Sequence, residues 1–281
     1  MKNILILFVC LFSIQICRAQ DPAFTVEVSG KGKPVILIPG YSCSGEVWKE
    51  TVNHLKDRFE CHVITIAGYA GVPAVDAPIL EKVKQELINY VQTKNLVRPV
   101  LIGHSLGAFM SLWASSEAPA LFGKVICVDG LPFVSALADP KANADSLKKN
   151  PMYDTAMVVK NFQRLPDSGY VEMMTKAMLM QVRDTSRARQ IATWQFNSNR
   201  RTLALSIIEM ATTDLRSAIA SIRQPVLVLG SIYQTKENSY KLLHEQYQNV
   251  PDKTIVVADS KHFIMYDEPV WFYSQIDSFL K

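Results

Sequence analysis

Pro99-Val100-Leu101-Ile102-Gly103-His104-Ser105-Leu106-Gly107 decides how this chain is read. Residues 99–102 form a short apolar run of strand type, closed by a glycine. A helical pattern opens at Leu106 and runs to about residue 118. Between them, Gly-x-Ser-x-Gly has only five residues in which to turn the chain. A turn that tight puts its central residue in a strained conformation, and it leaves no room for β-carbons at Gly103 and Gly107. Ser105 then stands above the end of a strand, at the positive N-terminus of a helix, where an oxyanion is stabilised. Strand, Gly-x-Ser-x-Gly and helix together are the setting of a nucleophile elbow. Gly-x-Ser-x-Gly without that setting is a common string.

Working outward, short apolar runs alternate with longer helical stretches. Strands are expected over 24–28, 34–38, 61–66, 99–102, 124–128, 225–229 and 253–257. The first two are expected to form a hairpin through Gly30-Lys31-Gly32-Lys33. Helices are expected over 79–91, with Val83, Leu87, Ile88 and Val91 on one face, and over 270–280. Strands this continuously apolar, alternating with helices, predict an α/β fold. Its sheet is mostly parallel, twisted, and covered by helices on both faces. Residues 131–215 break the rhythm, with no strand signal and seven methionines (Met152, Met157, Met173, Met174, Met178, Met180 and Met210). This stretch is expected to be a helical cap inserted between two halves of one core, 20–130 and 216–281.

The first nineteen residues have a different character. Lys2 precedes an apolar run over 4–16, and Cys17-Arg18-Ala19 puts small residues at the −3 and −1 positions of a cleavage site. That pattern predicts a secretory signal peptide over 1–19, hence a secreted or periplasmic protein. A lipoprotein fits less well, because Ile16 is bulky where a small residue belongs before the cysteine. No stable membrane span is expected once the signal is removed. Its loss removes Lys2 and Arg18 and no acid, so the formal charge falls from +4 to +2. That leaves no basic footprint for nucleic acid. Cys43, Cys61 and Cys127 remain. A Cys43-Cys61 disulfide is open to an oxidising compartment, and three free buried thiols are the simpler reading.

Ser105 needs a base. Of the five histidines, His262 alone follows a late strand and precedes the final helix. His54 and His244 fall in polar helices, His62 starts a strand, and His104 points away from its neighbour Ser105.

The order of these motifs resembles the α/β-hydrolase superfamily, and most closely its capped serine esterase and lipase-like members. Ile38-Pro39-Gly40-Tyr41, the 103–107 turn and His262-Phe263 carry the resemblance. It implies the chain order Ser, acid, His. In most such members the acid follows the strand after the cap. Here Gly230-Ser231-Ile232-Tyr233 puts Tyr233 where that acid belongs. Asp129, directly after the strand before the cap, is the position some capped members use instead, and it is expected to orient His262. Glu237 and a Ser-His dyad are the alternatives. Asp259 is close to His262 in sequence, but its backbone points it away. The resemblance also assigns the oxyanion hole to two backbone N–H groups, Tyr41 and Leu106.

The resulting expectation is a carboxylesterase working through an acyl-enzyme on a small-molecule ester, with small or medium acyl or aryl groups and no metal or cofactor. An amidase or aminopeptidase, a thioesterase, or a cofactor-free haloperoxidase would use the same groups. A non-catalytic binding protein is the alternative of another class. Met157, Phe162, Tyr170, Met173, Met174 and Met178 are candidates to line an acyl or aryl pocket. The competing reading makes them the cap's own core.

Overall fold

The computed structural model describes residues 21–281, so the expected signal peptide lies outside the described residues. Seven strands form one sheet: β1 (Phe24–Gly30), β2 (Lys33–Ile38), β3 (Phe59–Ile66), β4 (Val100–His104), β5 (Val125–Val128), β6 (Val226–Gly230) and β7 (Lys253–Val257). They lie in the order β1-β3-β2-β4-β5-β6-β7. All neighbours run parallel except β1, which pairs antiparallel with β3 at the edge.

The hairpin expected between β1 and β2 does not form, because β3 is inserted between them. The glycine-rich connection reaches across the start of β3, where the Lys31 N–H donates to the Lys56 carbonyl at 3.3 Å. Gly30 and Gly32 turn there with φ of 84° and 123°, open to glycine. A turn string fixes where a chain bends. It does not fix which strand lies beside it.

The central strands are buried on both faces, and their side chains divide between two layers. Ile36, Ile38, Leu101, Val125, Cys127, Val226 and Val228 enter one core, with the helices Ile79–Thr93 and Leu106–Glu117. Val35, Leu37, Ile102, Ile126, Val128, Leu227 and Leu229 enter the other, with Trp48, Leu55, Phe272 and Ile276. This is the period of two expected of a strand. Each fully buried aliphatic side chain contributes roughly 1.5–3 kcal/mol. The three cysteines lie free and buried within these layers.

No described residue between β5 and β6 is in a strand. That stretch carries the helices Ala144–Lys148, Thr155–Gln163, Tyr170–Met178, Thr185–Phe196 and Arg200–Ala211. Side-chain N-caps start four of them: Asn143 accepts from the Asp145 and Ser146 amides, Asp154 from Met157 N–H, Asp184 from Arg187 N–H and Asn199 from Thr202 N–H. The last helix is tied to the core. The Glu209 carboxylate accepts from the Ile79 and Leu80 amides at 2.8 and 2.6 Å, capping the helix Ile79–Thr93. Ser206 Oγ and Tyr69 Oη lie 2.7 Å apart. Leu215, Ile219 and Ile222 return to the sheet's core layer. Among the described residues no helix is long and apolar enough to cross a membrane.

Candidate active site

Ser105 lies between the end of β4 and the helix Leu106–Glu117, with φ 52° and ψ −115°. Such a conformation costs an L-residue about 1–3 kcal/mol, and its surroundings must enforce it. Here they do. Ser105 N–H donates to the Val128 carbonyl at 2.9 Å. The Ser105 carbonyl accepts from the Ala108 and Phe109 amides at 3.0 and 3.1 Å. A β-carbon on Gly103 would come within 2.5 Å of Ala108 N, and one on Gly107 within 2.8 Å of the Pro39 carbonyl. Both obstacles are backbone, so neither glycine has a substitute.

Asp129 leaves β5 at the adjacent strand end, also with positive φ, at 45°. Its N–H donates to the Leu229 carbonyl at 2.7 Å, and the following Gly130 carbonyl accepts from Tyr247 Oη–H at 2.7 Å. So fixed, the carboxylate receives three hydrogen bonds. Ser231 N–H donates to Oδ1 at 2.6 Å, Ser231 Oγ–H to Oδ2 at 2.8 Å, and His262 Nδ1–H to Oδ2 at 2.6 Å. A proton held on Nδ1 leaves the Nε2 lone pair free to accept another. The loop carrying His262 is held as well: Phe263 N–H donates to the Gln181 carbonyl at 3.1 Å, and Lys261 Nζ to that of Leu179. Ser105, Asp129 and His262 open onto one cavity of about 460 Å³.

The loop after β2 runs against the elbow. A β-carbon on Gly40 would stand 3.4 Å from Ser105 Cβ and 2.7 Å from His104 Nδ1. The Tyr41 side chain faces elsewhere: Oη–H donates to the Leu203 carbonyl at 2.9 Å and the ring meets Tyr69 edge-on. Burial pushes this phenol's pKa above its ordinary value. Tyr41 can therefore offer the site only its backbone. Leu106 N–H is at the first helical position, where it has no acceptor within the helix.

A model of the Alpha/beta hydrolase family matches residues 35–275. The chain belongs to this family. Among its relatives is a pimeloyl-[acyl-carrier protein] methyl ester esterase of Vibrio cholerae, 24% identical over 204 residues, covering 72% of this chain and 76% of the relative. Among solved structures, an enol-lactonase from Burkholderia xenovorans superposes with a TM-score of 0.74 at 14% identity, covering 92% of this chain and 96% of that one. An esterase from Thermogutta terrifontis gives 0.73 at 17% identity, covering 92% of both. At these identities the structural likeness speaks for the fold.

In this hydrolase the expected methionine-lined pocket is not where the cap residues were placed. Met157 and Met173 are 43% and 46% exposed. Met178 is buried with Val182, Ile191 and Trp194, and Met174 packs against that same cluster. Phe162 and the buried Tyr170 are likewise absent from the cavity wall; Phe162 packs on the layer holding Val159 and Leu203. The helices Tyr170–Met178 and Thr185–Phe196 spend their apolar faces on each other. The cavity is walled instead by Phe109, Leu131, Val134, Met210, Ile232 and Leu243.

Two polar residues at the site were not singled out in the sequence. Ser231 clasps Asp129, and its only signal was a hydroxyl directly after Gly230. His104 is fully buried, with its ring 4.5 Å from that of His262. Its Nε2 lies 3.1 Å from the His262 carbonyl and donates to it. Burial first, then the neighbouring His262, hold the His104 pKa well below the ordinary histidine value, so it stays neutral.

Proposed function

We propose that this hydrolase is a serine carboxylesterase acting on esters with small or medium acyl or aryl groups. The observation that carries the reading is the 2.6 Å bond from His262 Nδ1 to Asp129, at the cavity onto which Ser105 opens. Ser105 Oγ attacks the ester carbonyl while His262 Nε2 takes its proton. Asp129 stabilises the imidazolium and stays ionised. The Tyr41 and Leu106 amides bind the oxyanion. The proton then passes to the departing alcohol, leaving an acyl-enzyme. Water, deprotonated by His262, releases the acid and restores Ser105. The Vibrio cholerae relative, an esterase by name, supports an ester over an amide.

A fluorophosphonate probe tests the nucleophile. Labelling is expected on Ser105 and should vanish in Ser105→Ala together with hydrolysis of nitrophenyl esters. Wild-type turnover in Ser105→Ala would remove the elbow from the reaction. Nitrophenyl esters of increasing chain length, run beside amide and thioester analogues, test the bond type.

The reading includes export to a secreted or periplasmic location, supported by Lys2, the apolar run over 4–16 and Cys17-Arg18-Ala19. N-terminal sequencing of the protein recovered outside the cytoplasm should begin at Gln20. An intact Met1 would overturn this part.

A further inference from the structure

The cavity joined to Ser105 has walls from four parts of the fold. Phe109 comes from the elbow helix, Leu131 and Val134 from the start of the insertion, Met210 from its last helix, and Leu243 from the helix Lys236–Gln246. Among the described residues no lysine or arginine lines it. The one carboxylate in the wall, Asp129, already holds three donors. The Ser231 and Ser239 hydroxyls are engaged too, which leaves the half-exposed Tyr233 hydroxyl and the Gln181 amide as uncharged polar groups of the wall. Ser231 Oγ–H donates to Asp129, while Ser239 Oγ accepts from Tyr233 N–H at 2.7 Å and donates to the Thr235 carbonyl at 3.1 Å.

The acyl group becomes bonded to Ser105 Oγ in the first half-reaction and is held there until water releases it in the second, whereas the alcohol leaves after the first. The largely apolar cavity beside the serine is the space open to that acyl group while it is held. A carboxylate carried into it would lose its water, meet no counter-ion, and face the Asp129 charge. We infer that the acyl chain this enzyme accepts is apolar and uncharged, and that acyl groups bearing a second carboxylate are excluded. This rests on the esterase reading above.

The test uses three nitrophenyl esters of matched acyl length: hexanoate, the adipate half-ester with a free distal carboxylate, and that half-ester capped as its methyl ester. For the wild-type enzyme, kcat/KM of the capped ester should stay within about tenfold of hexanoate. The free acid should fall about 100-fold or more below the capped ester, as unpaired burial of a carboxylate demands. Leu137 lies on the same wall and is 37% exposed, so a longer cationic side chain there can reach both cavity and solvent. Leu137→Arg should raise kcat/KM for the free acid about tenfold relative to the capped ester. Equal turnover of all three esters by the wild type, or an unmoved ratio in folded Leu137→Arg, overturns the charge exclusion and leaves the esterase reading standing. No turnover of any ester with Ser105 labelled by the fluorophosphonate also overturns it, because the apolar chain then does not fit. No turnover with Ser105 unlabelled removes the underlying reading.

Discussion

Replacing Asp129 with Asn separates the acid's role from its place in the fold. The carboxylate receives Ser231 N–H on Oδ1, and Ser231 Oγ–H together with His262 Nδ1–H on Oδ2. Asn keeps one oxygen and supplies one NH₂. Ser231 N–H, at 2.6 Å and immovable, claims the oxygen. The NH₂ then faces Ser231 Oγ and His262 Nδ1. The serine hydroxyl can rotate and accept. His262 can accept only by moving its proton to Nε2, and in that tautomer it cannot take the proton of Ser105. The expected loss in kcat is about 10⁴-fold, equivalent to about 5.5 kcal/mol of barrier. Stability should change far less. One charged hydrogen bond contributes about 1.5–3 kcal/mol, which for a chain of this size lowers Tm by less than about 12 °C. Steady-state hydrolysis of a neutral nitrophenyl ester and a thermal melt, run on the same preparation, measure both. A loss of tenfold or less in folded protein would refute the assignment. Near-wild-type turnover in Asp259→Asn and Glu237→Gln belongs to the same expectation.

Ser231→Ala removes one donor from Asp129 but keeps the backbone bond. It should lower kcat by about tenfold, the low end for a hydrogen bond to a charged group, with little change in Tm; an unchanged kcat would make the hydroxyl idle. Gly130→Ala would place a β-carbon 2.5 Å from Ala108 Cβ and 2.6 Å from the Ser105 carbonyl. Neither obstacle is the end of a flexible side chain, so the variant should lose about 1–3 kcal/mol in a urea melt and also lose activity as Ser105 shifts; a wild-type melt would contradict the fit. His104 has a folded pKa below its unfolded value near 6.5, so the unfolded chain takes up a proton that the folded chain refuses. The stability linked to this residue is therefore complete above about pH 6.5 and is lost as pH falls. Between pH 6.5 and 5, urea melts of wild type should lose up to about 2 kcal/mol more than those of His104→Gln, and equal losses would refute the burial argument.

The sheet and the elbow were legible because each rests on a local pattern. Val35 to Ile38, Leu101-Ile102, residues 125–128 and residues 226–229 are apolar at every position, as a doubly covered strand requires. Gly103 and Gly107 are dictated by contacts with backbone close by. The failures share a different physics. Gly30-Lys31-Gly32 reads as a hairpin turn whichever strand lies beyond it, and the pairing of β1 with β3 is a long-range choice. Met157, Met173 and Met178 have the same local signature as Met210, yet only Met210 reaches the cavity. Hydrophobic period tells which side of a helix is buried and is silent on what it is buried against.

The carboxylate beside His262 shows most directly how topology can relax a motif. The strand ends that compete for it are neighbours: β5 and β6 pair with Val128 opposite Leu229. Asp129 N–H donates across that pair to the Leu229 carbonyl, and Ser231, just past the end of β6, clasps the Asp129 carboxylate. A carboxylate from either strand thus arrives at one place under His262. What must be kept is the point in space where Nδ1–H finds an oxygen, and two adjacent parallel strands offer two chain positions for it. Positive φ at Asp129 and a β-carbon-free Gly130 are the local cost of leaving β5 sharply enough to reach that point. Ser231 supplies the donors that hold the carboxylate there. A fixed spacing after β6 is therefore a poor guide to a carboxylate under His262, whereas the pair Asp129-Gly130 at the end of β5 carries the stereochemical mark of a carboxylate turned toward that ring.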